Sequence, residues 1–227
     1  MKPTYTPTLK EVADLAKTGD GNLIPIYREI NADLETPVSA YLKVARGPFS
    51  FLLESVEGGE RMARYSFLGT DPYAVFKSGM NEALGSVDPL VSIENELGKY
   101  KVLPVDGLPR FNGGAVGYIA YDAIHYFEPR VPRPPEDSLK LPESIFLLAN
   151  TLLVFDHLKH KILVVSHAHL EGNVAQAYER ATQRIDEMVK RLQQPLQTTP
   201  QDLHTANTTA SDTEEKFKSN MAKSQYH

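Results

Sequence analysis

The sequence predicts an α+β fold in which antiparallel sheets form a sandwich flanked by helices. Capped helical patterns and short apolar strand patterns follow one another along the 227 residues. Two long apolar runs meet at a short polar turn, as the strands of a hairpin do. Few segments are long enough to serve as the crossover connections that a doubly wound parallel sheet requires. These observations favour an antiparallel α+β sandwich.

Two helices are predicted near the N-terminus, each from a capping signal. In TLKEVADLAKTGDGN, Thr8 can cap the helix while Glu11 occupies its third position. In ETPVSAYLKVARG, Thr36 is the cap, Pro37 the first helical residue, and Gly47 lies just past the end. The buried stripe predicted for this second helix consists of Val38, Tyr41, Leu42 and Ala45.

Three strands and a third helix are predicted next. The strands cover residues 49–55, 64–69 and 73–77, and the helix in DPLVSIENELGKY begins at Asp88 and Pro89. The glycines of RFNGGAVGYIAYDAIHYFEP, which follows, allow another backbone or a ligand to approach closely.

The second half of the chain predicts a hairpin and a long amphipathic helix. The runs SIFLLANTLLVFD and KILVVSHAHL flank the polar HLKHK and indicate an antiparallel hairpin. The helix NVAQAYERATQRIDEMVKRLQQ then places its apolar residues on one face, with a period close to 3.6. This face consists of Val174, Ala177, Tyr178, Ala181, Ile185, Met188, Val189 and Leu192.

A change of composition near the C-terminus predicts a domain boundary. Residues 1–194 form the predicted first domain, and the polar, Thr-rich residues 195–212 read as a linker. Residues 213–227, TEEKFKSNMAKSQYH, are typical of the first turns of another helix. We therefore expect a following domain to begin there.

Composition limits the classes of partner and site. The net charge of −5 gives no electrostatic reason to expect nucleic acid or an anionic membrane surface as a partner. The absence of cysteine excludes disulfides, thiolate nucleophiles and zinc–cysteine sites, and it suits a reducing compartment. The sequence has no secretory signal and no run of transmembrane length. We expect a soluble, cytoplasmic protein.

Two further motifs contain residues or spacings that occur in metal-binding or phosphate-binding sites. His167 and His169 alternate on one strand face and could ligate a metal, but no carboxylate at useful spacing completes the set. A solvated strand end is the favoured interpretation. The run GGAVG lacks the Lys–Ser/Thr of a phosphate-binding loop, so backbone packing is favoured there.

A candidate binding site lies in FSFLLESVEGGERMARYSFLG. Strand alternation places Phe51, Leu53 and Ser55 on one face and Glu54 on the other, while Arg64 starts the returning strand. A small hydroxyl, a fixed guanidinium and aromatic neighbours suit a small zwitterion with an apolar side chain. The residues alone do not distinguish this site from a capped strand end.

The motif LLESVEGGERMARYSFLG, followed by FNGGAVGYIAYDAIHYFE, closely resembles the N-terminal half of the anthranilate synthase component I family. ADLETPVSAYLKVA and LANTLLVFDH support the resemblance, which covers residues 23–194 and the closing SNMAKSQYH. It implies an enzyme that converts chorismate to anthranilate and pyruvate, with ammonia from a glutamine amidotransferase subunit (component II). It also implies feedback inhibition by L-tryptophan, which makes residues 1–194 a regulatory domain.

The resemblance implies roles for specific residues. In the family the LLES strand borders the tryptophan site, and Ser55 matches the serine associated with inhibitor binding. Glu54 is its neighbour, and Arg64 falls near a basic residue that approaches the inhibitor. Chorismate and Mg²⁺ are bound by a C-terminal domain that would begin within residues 213–227, so no catalytic or metal-binding residue can be assigned here. We expect these residues to be a fragment that is inactive alone.

Two other functions fit the same residues. One is aminodeoxychorismate synthase component I, from the same superfamily. The other is an autonomous amino-acid-binding module without catalysis.

Overall fold

A computed structural model describes residues 3–54, 64–128, 130–132 and 140–196. The helices are α1 Leu9–Ala16, α2 Pro37–Val44, α3 Pro89–Leu97, α4 Ile124–Phe127 and α5 Val174–Leu192, with a 3₁₀ turn at Tyr121–Ala123. The strands are β1 Leu23–Asn31, β2 Ser50–Leu53, β3 Tyr65–Thr70, β4 Ala74–Ser78, β5 Gly114–Ile119, β6 Ser144–Ala149, β7 Thr151–Asp156 and β8 Lys161–His169.

The described strands form two sheets. The larger has five strands in the order β1-β8-β7-β3-β2, and the smaller has three in the order β4-β6-β5. Every pair of neighbouring strands in both sheets is antiparallel. The prediction of antiparallel sheets with helices is confirmed, and the doubly wound alternative is excluded for the described residues.

The N-terminal caps are confirmed, but the buried face predicted for α2 is only partly correct. Thr8 and Thr36 each accept a hydrogen bond from the third helical residue in a capping box. In α2 the buried residues are Pro37, Ala40 and Val44, whereas Val38 and Leu42 are 51% and 56% exposed. The short side chain of Ala40 lets the helix pack closely against β3 and α5. Of the predicted stripe, Val38 and Leu42 are therefore turned outward, whereas Tyr41 is partly buried against the core.

The sequence did not predict two of the strands, β1 and β5, and β1 is the more instructive of the two. The β1 sequence LIPIYREIN contains Pro25, which breaks the usual strand signal, and it has two charged residues, Arg28 and Glu29, in its second half. The structure accounts for Pro25 because β1 is the edge strand of the larger sheet: it pairs along its length with β8, and its other side forms only isolated bridges, Thr6↔Tyr27 and Leu23↔Val102. Proline is tolerated on an edge strand, where its missing N–H costs no ladder bond.

The long apolar run SIFLLANTLLVFD is divided between the two sheets. Asn150 separates β6, which belongs to the smaller sheet, from β7, which belongs to the larger. Only the second half of the run, β7, therefore forms the predicted hairpin with β8, and the two strands pair from Thr151↔Ser166 to Asp156↔Lys161. Because both halves of the run are apolar, composition does not reveal the crossing point.

The core lies on both faces of the larger sheet. On one face, α1, α2 and α5 cover Leu68, Leu153, Phe155 and Val164, and the predicted apolar face of α5 is confirmed. On the other face, Leu152, Val154, Leu163 and Val165 pack with loop residues that follow α3. These loop residues are Val105, Leu108 and Phe111. We call the two groups the helix-side cluster and the loop-side cluster.

The predicted linker and the start of a second domain fall almost wholly beyond residue 196 and lie outside the described residues. The boundaries 1–194, 195–212 and 213–227 therefore stay predictions. Among the residues that are described, none belongs to a helix both long and apolar enough to cross a membrane.

Candidate functional site

The candidate site begins at the end of β2, an edge strand of the larger sheet. β2 pairs with β3 in the register Phe51↔Gly69 and Leu53↔Phe67. Phe51 packs into the loop-side cluster and Leu52 into the helix-side cluster, as the predicted alternation requires. Leu53 is already 44% exposed. The strand face that carries Phe51 and Leu53 is therefore exposed to solvent where β2 ends.

The position of β2 is fixed by a close contact between Phe51 and Gly69. A Cβ atom built on Gly69 would lie 2.3 Å from Cε1 and 2.5 Å from Cζ of the Phe51 ring. The ring therefore occupies the space that any larger residue at 69 would fill. This explains why SFLG in the motif ends in glycine.

Two of the three predicted ligand-binding residues are described. Glu54 directly follows β2 and is exposed, whereas Ser55 lies outside the described residues. Arg64 directly precedes β3 and is half-buried. Because β2 and β3 are antiparallel neighbours, Glu54 and Arg64 belong to the same end of the hairpin.

The Arg64 guanidinium is held by Asp156, the last residue of β7. Arg64 Nε donates to Asp156 Oδ1 at 3.1 Å and a terminal nitrogen donates to Oδ2 at 2.8 Å. Oδ1 also accepts from the backbone N–H groups of Leu158 and Lys159, each at 3.2 Å. Among the described residues, Asp156 takes up two of the five N–H donors of the guanidinium. Asp156 therefore orients Arg64 without consuming its capacity to bind.

The ion pair shifts the pKa of both groups. Burial alone would raise the pKa of Asp156, but hydrogen bonds from Arg64 and from the Lys159 backbone outweigh burial and lower it. The hydrogen bond to Asp156 raises the pKa of Arg64. Both groups are therefore charged across the physiological range.

Sequence reasoning missed Asp156 and a second polar pair beside it. Ser66 Oγ lies 2.8 Å from Nε2 of His157, which follows β7 directly. The Arg64 guanidinium carbon lies 4.8 Å from the centre of the Tyr65 ring. A carboxylate ending an apolar strand, as in LLVFD, is the signal that could have indicated an anchor for a cation.

The structure corrects the interpretation of His167 and His169 as a solvated strand end. His167 is buried and lies with Nδ1 3.3 Å from the Asn150 carbonyl oxygen, while His169 packs edge-on against Tyr100. Within the described part of the chain, no group of three or more His, Cys, Asp or Glu side chains could hold a metal ion. The described residues therefore do not fit a magnesium site.

Comparisons with known proteins agree with one another. The chorismate binding enzyme family matches residues 48–227. A probable anthranilate synthase component 1 of Schizosaccharomyces pombe is 44% identical over 192 residues, which cover 83% of this chain and 38% of that protein. Anthranilate synthase component 1 of Acetivibrio thermocellus is 44% identical over 191 residues, covering 80% of this chain and 38% of the relative. The chain thus spans well under half the length of these relatives.

A solved structure supports the same relationship. The crystal structure of anthranilate synthase component I from Streptococcus pneumoniae TIGR4 matches with a TM-score of 0.50 and 27% identity, over 76% of this chain and 38% of that one. The family match covers well over half of the chain, and on that basis the chain belongs to the chorismate binding enzyme family.

Proposed function

We propose that this chain is the N-terminal portion of an anthranilate synthase component I, a carbon–oxygen lyase of tryptophan biosynthesis. The observation that carries the proposal is the 44% identity over 192 residues to a relative of that name. The reaction converts chorismate and ammonia to anthranilate, pyruvate and water. In this proposal a glutamine amidotransferase, component II, supplies the ammonia, Mg²⁺ is required, and the protein is cytoplasmic. The reaction belongs to a protein of full family length.

The end of the β2–β3 hairpin is the proposed site for L-tryptophan as feedback inhibitor. Glu54 offers an exposed carboxylate for the ammonium group, and Arg64 offers N–H donors for the carboxylate. The bidentate contact with Asp156 supports this role, because a guanidinium that is already oriented loses less freedom when a ligand binds. Ser55 is the third proposed contact. Chorismate, by contrast, is assigned to no residue described here.

The proposed reaction is tested with the full-length protein that contains these residues. Purified protein is supplied with chorismate, ammonia and Mg²⁺, and anthranilate is measured by its fluorescence, with the 227 residues alone as a second sample. We expect anthranilate from the full-length protein and none from the 227 residues. Accumulation of aminodeoxychorismate instead would favour aminodeoxychorismate synthase component I, and tryptophan binding without turnover would favour a non-catalytic module.

A further inference from the structure

A cavity of about 250 Å³ lies at the opposite end of the larger sheet from Glu54 and Arg64. It is bounded by the start of β1, the end of β8, the junction between β6 and β7, the loop before β5, and the end of α3. Its size is close to the lower end of ligand-binding pockets, about 300 Å³. A molecule of one or two rings would fit.

The floor of the cavity is polar, and in it both ring nitrogens of His167 face oxygen acceptors. His167 is 3% exposed, with Nδ1 3.3 Å from the Asn150 carbonyl oxygen and Nε2 3.2 Å from Asn112 Oδ1. The Asn112 amide is held in this orientation because its Nδ2 donates to the carbonyl of Pro109 at 3.2 Å. A neutral imidazole has one N–H. Whichever ring nitrogen carries it, the other faces an oxygen with no hydrogen between them.

His167 is neutral at physiological pH. Burial, together with the nearby His169 and Arg184, lowers the pKa of His167 to about 4, although the Asn150 hydrogen bond opposes the shift. Arg184 approaches from the helix side, where it donates to the His167 carbonyl oxygen at 2.6 Å. The missing hydrogen is therefore not supplied by protonation of the ring. A donor group from a ligand would supply it.

The walls of the cavity are aromatic and apolar. The Tyr100 ring stands edge-on to His169 at 5.2 Å, and Tyr73 lines the same cavity. The Tyr100 hydroxyl donates to Glu96 at 3.3 Å, which directs its proton away from the cavity. Leu23 and Leu97 add aliphatic surface. Such walls favour a planar ring.

The charged ligands of the proposed function are poorly suited to this cavity. None of the described residues that line the cavity is Asp, Glu, Lys or Arg. A charged ligand would lose its hydration here without gaining a counter-ion, which is strongly unfavourable. Amino acids and dicarboxylates are therefore poor occupants.

We propose that this cavity is a second ligand site, which binds an uncharged planar ring carrying an N–H donor directed at His167 and Asn112. The ring lies between the aromatic walls, and its N–H supplies the hydrogen that the two acceptors lack. The site is separate from the β2–β3 hairpin end. It does not depend on the function proposed above.

Benzimidazole, uncharged at pH 8, is the probe, and 1-methylbenzimidazole is its matched control without the N–H group. Affinity for the 227-residue protein is measured by calorimetry, and the ring nitrogens of His167 are followed by NMR. We expect saturable binding of benzimidazole, binding of the methylated probe weakened about tenfold, no binding of benzoate, and a shift of the His167 signals. Equal affinity for both probes, or no saturable binding, would overturn the proposal.

Two leucines of α3 provide a matched pair of variants. Leu97 lines the cavity, whereas Leu90 does not, and both side chains are partly exposed. Leu97→Trp should fill the cavity and weaken benzimidazole binding at least tenfold, while Leu90→Trp should leave it unchanged. A large loss in both variants, or in neither, would contradict the assigned location. Because both positions are on the surface of the helix, neither variant depends on tolerance of a core substitution.

Discussion

Replacing Gly69 with alanine tests how the β2–β3 hairpin is held in place. The new Cβ would lie 2.3 Å from Cε1 of the Phe51 ring, far inside van der Waals contact, so the ring must move. Phe51 packs against the loop-side cluster, and moving its ring disturbs that contact. The effect should therefore reach β2 and the residues that follow it.

The magnitude follows from two opposed terms. Forcing an extra methyl group into a packed site costs about 1–3 kcal/mol. Removing the freedom of glycine in the unfolded chain stabilises by about 0.4–1 kcal/mol. The clash outweighs the gain, so Gly69→Ala should lower the free energy of unfolding by about 0.5–2 kcal/mol. In a Phe51→Ala background the clash is gone, and the same substitution should be neutral or stabilising by up to about 1 kcal/mol.

The assay is urea denaturation of the parent, both single variants and the double variant, each followed by circular dichroism. The expected result is a change of sign: Gly69→Ala destabilises when Phe51 is present and does not when Phe51 is alanine. An equal loss of stability in both backgrounds would refute the reasoning, because it would show that the Phe51 ring is not what excludes a side chain at 69.

Three further predictions concern pH, the ion pair and the core. The pKa of His167 in the folded protein, about 4, is below its ordinary value, so the unfolded chain binds more protons between about pH 4 and 6.5. The free energy of unfolding should fall by about 2–4 kcal/mol as the pH drops through this window. In urea titrations at pH 4.5 and 7, His167→Gln should show a smaller fall than the parent. An equal fall in both proteins would contradict this. Asp156→Asn should lower the midpoint temperature of thermal unfolding because it breaks the ion pair with Arg64. Asp14→Asn, which removes an exposed ion pair with Lys17, should leave that temperature unchanged. Equal changes in the two variants would count against a stabilising role of the Arg64–Asp156 pair. Ile185→Ala, fully buried in α5, should cost about 2–5 kcal/mol in urea denaturation, and a loss under 1 kcal/mol would be evidence against its packing.

The helix caps and the buried face of α5 could be predicted because their signals are local. Thr8 and Glu11 are three residues apart, and the buried residues of α5 repeat within one helix. By contrast, β1 contains Pro25, and only its place at the sheet edge makes that residue acceptable. The change of sheet at Asn150 also depends on pairings with distant strands. Sequence patterns do not report such long-range choices.

At the candidate site, too, local features could be predicted from the sequence and long-range contacts could not. The sequence predicted Glu54 and Arg64 at one end of a hairpin, and strand pairing puts them there. Asp156, which fixes Arg64, is 92 residues away in sequence and could not be assigned from spacing. The burial of His167 was missed because its alternation with His169 looks the same on a solvated strand and on a strand facing a cavity.

The most direct test of the proposed regulatory site is a tryptophan titration of the initial rate in the full-length protein carrying Ser55→Phe. Ser55→Ala and the same Phe substitution at Ser86, exposed in the turn before α3, serve as comparisons. Ser55→Phe should nearly abolish inhibition while uninhibited turnover stays within a few-fold of the parent, and Ser55→Ala should weaken inhibition by the about 0.5–1.5 kcal/mol of one hydrogen bond. Ser86→Phe should be inhibited normally. Normal inhibition of Ser55→Phe with normal turnover would contradict the account, because it would show that the end of β2 is a strand end without a regulatory role.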